Sequence, residues 1–156
     1  PMVVDADGIN ALAGHMDEWE RRRGRVTVLT PHEGEFLRVG GNLSQGRTAA
    51  AEDFARRSEA VVVLKGPGTV VAGPDGRCRV NTTGNCGMAK GGSGDVLSGV
   101  VLALLGLGMD AFDACCCAVW LHGRAGDLAA QEKGQWGMTP TDLLERLPQA
   151  LREVTE

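Results

Sequence analysis

The most continuous hydrophobic stretch of the chain is Ala60-Val-Val-Val-Leu64, where apolar branched residues follow an alanine with no polar interruption. A strand with one wet face would alternate. An unbroken run predicts a strand covered on both faces of a parallel sheet. Shorter apolar runs at residues 2–4 and 26–29 predict two more strands. Residues 69–72 and 77–80 flank Gly73-Pro-Asp-Gly76, a strong turn signal, and so predict a hairpin. Between these runs the spacing becomes helical. Residues 47–60 place Ala51, Phe54 and Ala55 inward and their arginines outward. Residues 96–107 are apolar almost all round and predict a core helix. Residues 110–131 predict a long helix rich in Ala and Cys, with Gly123, Gly126 and Ala129 available for close packing against the helix before it. Thr139 and Pro140 are good N-cap and N1 residues for a last helix striped with Leu143, Leu144, Leu147 and Leu151. Residues 9–14 suit a short helix, residues 36–39 an amphipathic piece, and residues 18–23 a charged, solvated face.

Buried strands alternating with helices predict a layered α/β domain. The 156 residues suffice for one domain with its own core, and neither a linker nor a low-complexity segment interrupts them. A net charge of −4 gives no basic footprint for nucleic acid. No apolar run approaches the ~20 residues of a membrane span, and no signal peptide is visible. The chain opens inside a strand-like run, which predicts a fragment of a longer protein. Five cysteines without a Cys-x-x-Cys pair read as reduced thiols in a cytoplasm. Cys115, Cys116 and Cys117 are adjacent on a predicted helix, point in different directions, and suit small buried hydrophobes rather than a metal cluster.

Chemistry concentrates in Asn81-Thr-Thr-Gly-Asn-Cys-Gly-Met-Ala-Lys-Gly-Gly-Ser-Gly-Asp95. A strand leads in and a helix leads out. Gly84, Gly87, Gly91, Gly92 and Gly94 let successive backbone amides turn toward one point. The helix N-terminus adds unpaired N–H donors and the positive end of its dipole, so a phosphate is the natural guest. Asp95 would help cap that helix. A carboxylate beside a phosphate site also suits a base that takes a proton from an attacking hydroxyl. No Gly-Lys-Ser/Thr follows, so this is not a Walker P-loop. Leu97 occupies the third glycine position of a dinucleotide fingerprint.

Other candidates lie where predicted strands end, the edge that lines ligand crevices in open α/β sheets. Asp5 and Asp7 follow the first strand, though turn chemistry explains both. His32, in Thr30-Pro-His-Glu-Gly-Glu35, is a substrate ligand, a proton shuttle or a satisfied loop histidine, and Glu33 and Glu35 are potential helix caps. Lys65-Gly-Pro-Gly-Thr69 reads as a second phosphate contact or as a turn with a surface lysine. His122 suits a core position better than a ligand role, and Cys86 is the thiol nearest the glycine loop.

Gly92-Ser-Gly-Asp95 resembles the anion-hole motif of the ribokinase-like superfamily. More closely, residues 84–95 resemble the signature of the ADP/ATP-dependent NAD(P)H-hydrate dehydratases, the YjeF C-terminal-domain family. Val4-Asp-Ala-Asp7, Leu29-Thr-Pro-His-Glu-Gly-Glu35, Leu64-Lys-Gly-Pro-Gly-Thr69, Gly91-Gly-Ser-Gly-Asp95 and Leu121-His-Gly-Arg-Ala-Gly-Asp127 appear in the family's order. The resemblance implies a ribokinase-like three-layer α/β/α sandwich whose N-terminal part lies upstream of Pro1, residues 1–156 being the C-terminal portion of that single domain. It implies that Asp95 is the catalytic base and contacts the hydrated nicotinamide nucleotide, that His32 contacts the same substrate, and that Gly92, Ser93 and Gly94, with Lys65, Gly66, Pro67, Gly68 and Thr69, bind the adenine nucleotide. The implied reaction is a hydro-lyase repair of NADHX or NADPHX to NADH or NADPH, using ADP or ATP and Mg2+, in a homo-oligomer. Cys86 stands where the family usually has Pro, and Lys90 where it usually has Thr, adding a positive charge beside the phosphate loop. The competing expectations are a ribokinase-like kinase of a small hydroxylated metabolite, such as a sugar or vitamin precursor, and a nucleotide-binding remnant without activity.

Overall fold

The computed structural model describes residues 1–15 and 18–155. Its elements are β1 (Met2–Val4), α1 (Ala6–Ala11), a 3-10 turn (Glu18–Arg22), β2 (Thr27–Leu29), α2 (Glu33–Arg38), α3 (Arg47–Ser58), β3 (Val61–Leu64), β4 (Val70–Ala72), β5 (Cys78–Val80), a second 3-10 turn (Cys86–Met88), α4 (Ser93–Gly106), α5 (Ala111–Gly137) and α6 (Pro140–Thr155). The sheet order is β1-β2-β3-β4-β5. β1, β2 and β3 run parallel, and β4 and β5 continue as an antiparallel hairpin across the Gly73–Gly76 turn.

Strand β3 is buried along its whole length, as its sequence predicts. Its pleat sends alternate side chains to opposite faces. Val62 and Leu64 join Leu29, Phe36, Ala51, Phe54 and Ala55 on the face covered by α1, α2 and α3. Val61 and Val63 join Val28, Leu97, Val101, Cys115 and Val119 on the face covered by α4 and α5. This is a three-layer α/β/α sandwich. Helix α6 packs its Leu143 and Ala150 against Leu121, Ala125 and Ala129 of α5. No helix among the described residues is long and apolar enough to cross a membrane.

Four local expectations change. The first helix begins at Ala6, directly after the first strand, rather than at residue 9. Within the segment expected to be solvated, Trp19 is buried and its indole N–H donates to the Ser58 carbonyl at 2.8 Å. Helix α4 buries a stripe through Leu97, Val101 and Leu105 but leaves Leu102, and Leu107 at its C-cap, exposed, so it is a surface helix with an apolar outer side. Helix α5 runs on to Gly137, past residue 131, across a non-helical Gly134.

The small residues of α5 serve a different neighbour from the one expected. Gly123 abuts the backbone of Thr83 and Gly126 abuts Met88, so both receive the glycine-rich segment and not α4. A methyl at Gly123 would lie 2.7 Å from the Thr83 carbonyl carbon and 2.8 Å from its oxygen. By contrast, Gly99, within α4, has open space around its Cα. These two glycines therefore predict opposite signs. Gly123→Ala should destabilise by about 1–2 kcal/mol, because backbone overlap outweighs the helix-propensity gain. Gly99→Ala should stabilise by up to ~1 kcal/mol. Urea midpoints of the two variants against the parent check both.

Candidate active site

The parallel strands deliver Asp5, His32 and Lys65 to one edge, since each follows the carboxyl end of its strand and β2 lies between β1 and β3. The main chain ties the last two together: the Lys65 amide donates to the Pro31 carbonyl at 2.8 Å, and His32 and Lys65 form a parallel bridge. The Lys65 ammonium lies 2.6 Å from Asp5 Oδ1 and 3.9 Å from Glu35 Oε2. The Ser98 hydroxyl of α4 donates to the other oxygen of Asp5 at 3.1 Å. Partial burial alone would raise the Asp5 carboxyl. The Lys65 hydrogen bond and charge, with help from the Thr30 hydroxyl and the Ala6 amide, outweigh that and hold it below the usual range. Asp5 is thus committed as a counter-ion, a stronger role than the turn residue its sequence context suggested. Ala6, the next residue, carries φ +44°, a left-handed conformation unusual for a side-chain-bearing residue.

His32 is the N-cap of α2. Its Nδ1 accepts the Glu35 amide at 3.2 Å, and the Glu35 carboxylate accepts the His32 amide at 2.8 Å, a reciprocal capping box. Its Nε2 side remains exposed, 3.4 Å from Glu35 Oε1. Asp7 stays exposed in the first turn of α1.

The glycine-rich segment ends at α4, whose N-cap, Gly92, has φ +97° and no side-chain cap. The Ser93 amide donates to Lys90 and the Val96 amide to Gly92, each at 3.2 Å. Among the described residues nothing accepts from the amides of Gly94 and Asp95. An ideal methyl on Gly94 would lie 3.3 Å from Asp5 Oδ2 and 3.4 Å from Lys65 Nζ, so this free-amide turn abuts the ion pair. Asp95 is exposed and makes no capping bond, contrary to its expected capping role; its carboxylate is left available.

Helix α5 holds this turn in place through His122 and Asp127, both inside the Leu121–Asp127 motif. His122 is buried, and its Nε2 meets the Ser93 carbonyl at 2.9 Å. Burial, opposed by the Ser93 bond and reinforced by the Lys65 charge, pushes its pKa down to about 4 from 6.5, so the ring is neutral. Asp127 accepts the Gly84 amide and the Asn85 side-chain amide, each at 2.9 Å. Lys90 is tied to α5. Its ammonium caps the end of α5 by donating to the carbonyls of Trp136, at 3.0 Å, and Met138.

Asp5 and Glu35 converge, but on Lys65, and among the described residues no group of three His, Cys, Asp or Glu side chains could hold a metal ion. Among the described residues the side chains therefore do not form a magnesium cage. The cation between those carboxylates is the lysine. All five cysteines are free. Burial, with weak repulsion from Cys116 and Asp110, pushes the Cys115 thiol up to about 12, consistent with a small hydrophobe. Cys86 is exposed, with its thiol on Gln135 Oε1 at 2.8 Å.

The family profile described as NAD(P)H-hydrate dehydratase matches residues 1–149. The chain belongs to that family. It is 47% identical over 160 aligned residues, covering 100% of this chain, to the bifunctional NAD(P)H-hydrate repair enzyme Nnr of Thermofilum pendens, and spans 30% of that protein. It is 40% identical over 152 residues, 95% of this chain, to the ADP-dependent (S)-NAD(P)H-hydrate dehydratase of Bacillus subtilis, and spans 53% of it. The crystal structure of the Bacillus subtilis ADP/ATP-dependent NAD(P)H-hydrate dehydratase, co-crystallised with ATP/Mg2+ and soaked with CoA, superimposes with a TM-score of 0.86 at 37% identity, covering 98% of this chain and 56% of that one. A ribokinase-like superfamily protein of Enterococcus faecalis matches with a TM-score of 0.79 at 26% identity, covering 97% of this chain and 52% of its own. The ribokinase-like fold expected from the sequence is therefore the observed one, and the chain spans about half the length of these solved relatives.

The His122 contact makes an acid prediction. In the unfolded chain the ring protonates near 6.5, whereas in the fold it resists protonation to about 4. Below pH 6.5 the unfolded state binds the proton more readily, so stability is intact above that value and falls as the pH drops toward 4. The loss attributable to this one ring should reach about 2–3 kcal/mol near the lower value. Chemical unfolding at neutral and acid pH checks it: His122→Gln should lose less stability on acidification than the parent.

Proposed function

We propose that the chain carries the nucleotide-dependent dehydration of NADHX or NADPHX back to NADH or NADPH. One observation carries the proposal. The amides of Gly94 and Asp95 are free at the start of α4, beside the Lys65 ammonium, while the Asp95 carboxylate in the same turn has no partner. Free amides and a lysine suit a transferring phosphate, whose charge they stabilise at no cost of reorganisation. An unpartnered carboxylate suits a general base, since it is not already occupied by a donor. Membership of the family supplies the substrate class.

In this scheme the adenine nucleotide, ADP or ATP, lies along Lys65, Gly66, Pro67, Gly68 and Thr69, with its terminal phosphate at Gly92, Ser93 and Gly94. His32 contacts the hydrated nicotinamide. Asp95 takes the proton of the C6 hydroxyl as its oxygen attacks the terminal phosphorus, and the shortened nucleotide leaves with the bridging electrons. The C6–O bond of the ester then breaks with loss of phosphate and of the C5 proton, restoring the ring double bond. Magnesium would be carried by the nucleotide's own phosphates, which is how that ion is commonly bound.

The full chain given NADHX and ADP should regain the NADH absorbance, and Asp95→Asn should lower kcat roughly 10²-fold or more while leaving the fold intact. Turnover of another alcohol to a stable phosphate ester, without NADH, would instead support a kinase of a small hydroxylated metabolite. An Asp95→Asn variant as active as the parent would refute both.

A further inference from the structure

Arg47 opens α3 and belongs to the polar side of that helix, yet its guanidinium turns toward the loop after β3. It donates to the carbonyls of Leu64 at 3.0 Å, Lys65 at 3.1 Å and Gly68 at 3.2 Å, and also to that of Pro67. Its Nε lies 3.2 Å from Glu33 Oε1 without a hydrogen bond, a charge contact that links it to the turn carrying His32 and Glu35. One planar fork thus collects the carbonyls of four residues from 64 to 68.

Collecting carbonyls has a consequence on the other side of each peptide. In a planar trans peptide the N–H of the next residue points opposite to the C=O. Of the four amides so turned away, that of Lys65 donates to Pro31. Those of Gly66, Gly68 and Thr69 have no acceptor among the described residues. Pro67, between Gly66 and Gly68, has no N–H, so the loop offers an anion three unpaired backbone donors, those of Gly66, Gly68 and Thr69. The backbone needed for it is strained for side-chain-bearing residues: Gly66 has φ +148° and Gly68 φ +63°. A methyl on Gly66 would lie 2.7 Å from Arg47 Nη2, so the guanidinium itself helps demand glycine there.

We infer that Arg47 is a positioning residue for the nucleotide: it never touches the ligand, but by gathering the loop's carbonyls it aims the amides of Gly66, Gly68 and Thr69 at the phosphates. This rests on the assignment of Lys65 to Thr69 to an adenine nucleotide under "Proposed function". It gives the loop an amide array where the residue types alone suggested only a lysine contact.

The test uses the full chain with ADP. Arg47→Ala should raise the KM for ADP about tenfold or more, with kcat changed less than threefold and the KM for the hydrate unchanged. Added guanidinium chloride at millimolar concentration should restore much of the ADP affinity, while the same concentration of sodium chloride should not. Arg47→Lys should remain impaired, because a point charge cannot reach four carbonyls at once. An unchanged ADP KM in Arg47→Ala, in a parent that binds ADP, overturns the inference alone. Parallel losses in kcat and both KM values without guanidinium rescue mark a merely structural role and also overturn it. A parent without measurable ADP affinity overturns the nucleotide assignment itself, and the inference with it.

Discussion

The arrangement depends most on one ion pair. Lys65 and Asp5 meet at 2.6 Å across the carboxyl ends of β3 and β1, with β2 between them. A lysine aimed at the strand edge without a counter-ion would face desolvation, and a half-buried carboxylate alone would drift toward protonation. Together they fix each other, and Ser98 and Gly94 lock the start of α4 against them. The helix whose first-turn amides are free is therefore seated on a charge pair belonging to the sheet.

A second layer of contacts restrains the glycine-rich segment from the far side. His122 meets Ser93, Asp127 meets Gly84 and Asn85, and Lys90 reaches back to the end of α5. Each of these polar side chains closes a loop that glycine leaves flexible. Their cooperation explains how a segment with five glycines in fifteen residues can hold a shaped turn. The His122–Ser93 bond is the buried one, so losing it would leave a buried group unsatisfied and cost more than losing the exposed bonds to Gly84 and Trp136.

Some of this was legible from residue types alone. The unbroken valines of β3, the Gly73–Gly76 turn and the Thr139–Pro140 helix start are local signals, and local signals survive into the fold. The glycines and Asp95 marked the helix N-terminus because backbone freedom and charge are properties of the residues themselves. Arg47, His122, Lys90 and Asp127 were harder. Arg47 reads as one more outward arginine, since helical periodicity records polarity and not the carbonyls about twenty positions away that a side chain reaches. Gly123 and Gly126 were rightly seen as close-packing positions, but spacing cannot tell which neighbour fills the gap. Helix α4 shows the opposite failure: apolarity all round predicted burial all round, yet Leu102 and Leu107 face outward.

Whether the first turn of α4 gathers phosphate is decided most directly by amide NMR of the 15N-labelled full chain titrated with ADP. The resonances of Gly94 and Asp95 should move downfield and saturate with the nucleotide, and should do so in Asp95→Asn as well for Gly94, because the donor is backbone and not carboxylate. Resonances that stay in place while bound ADP shifts other parts of the chain would contradict a phosphate site at this turn.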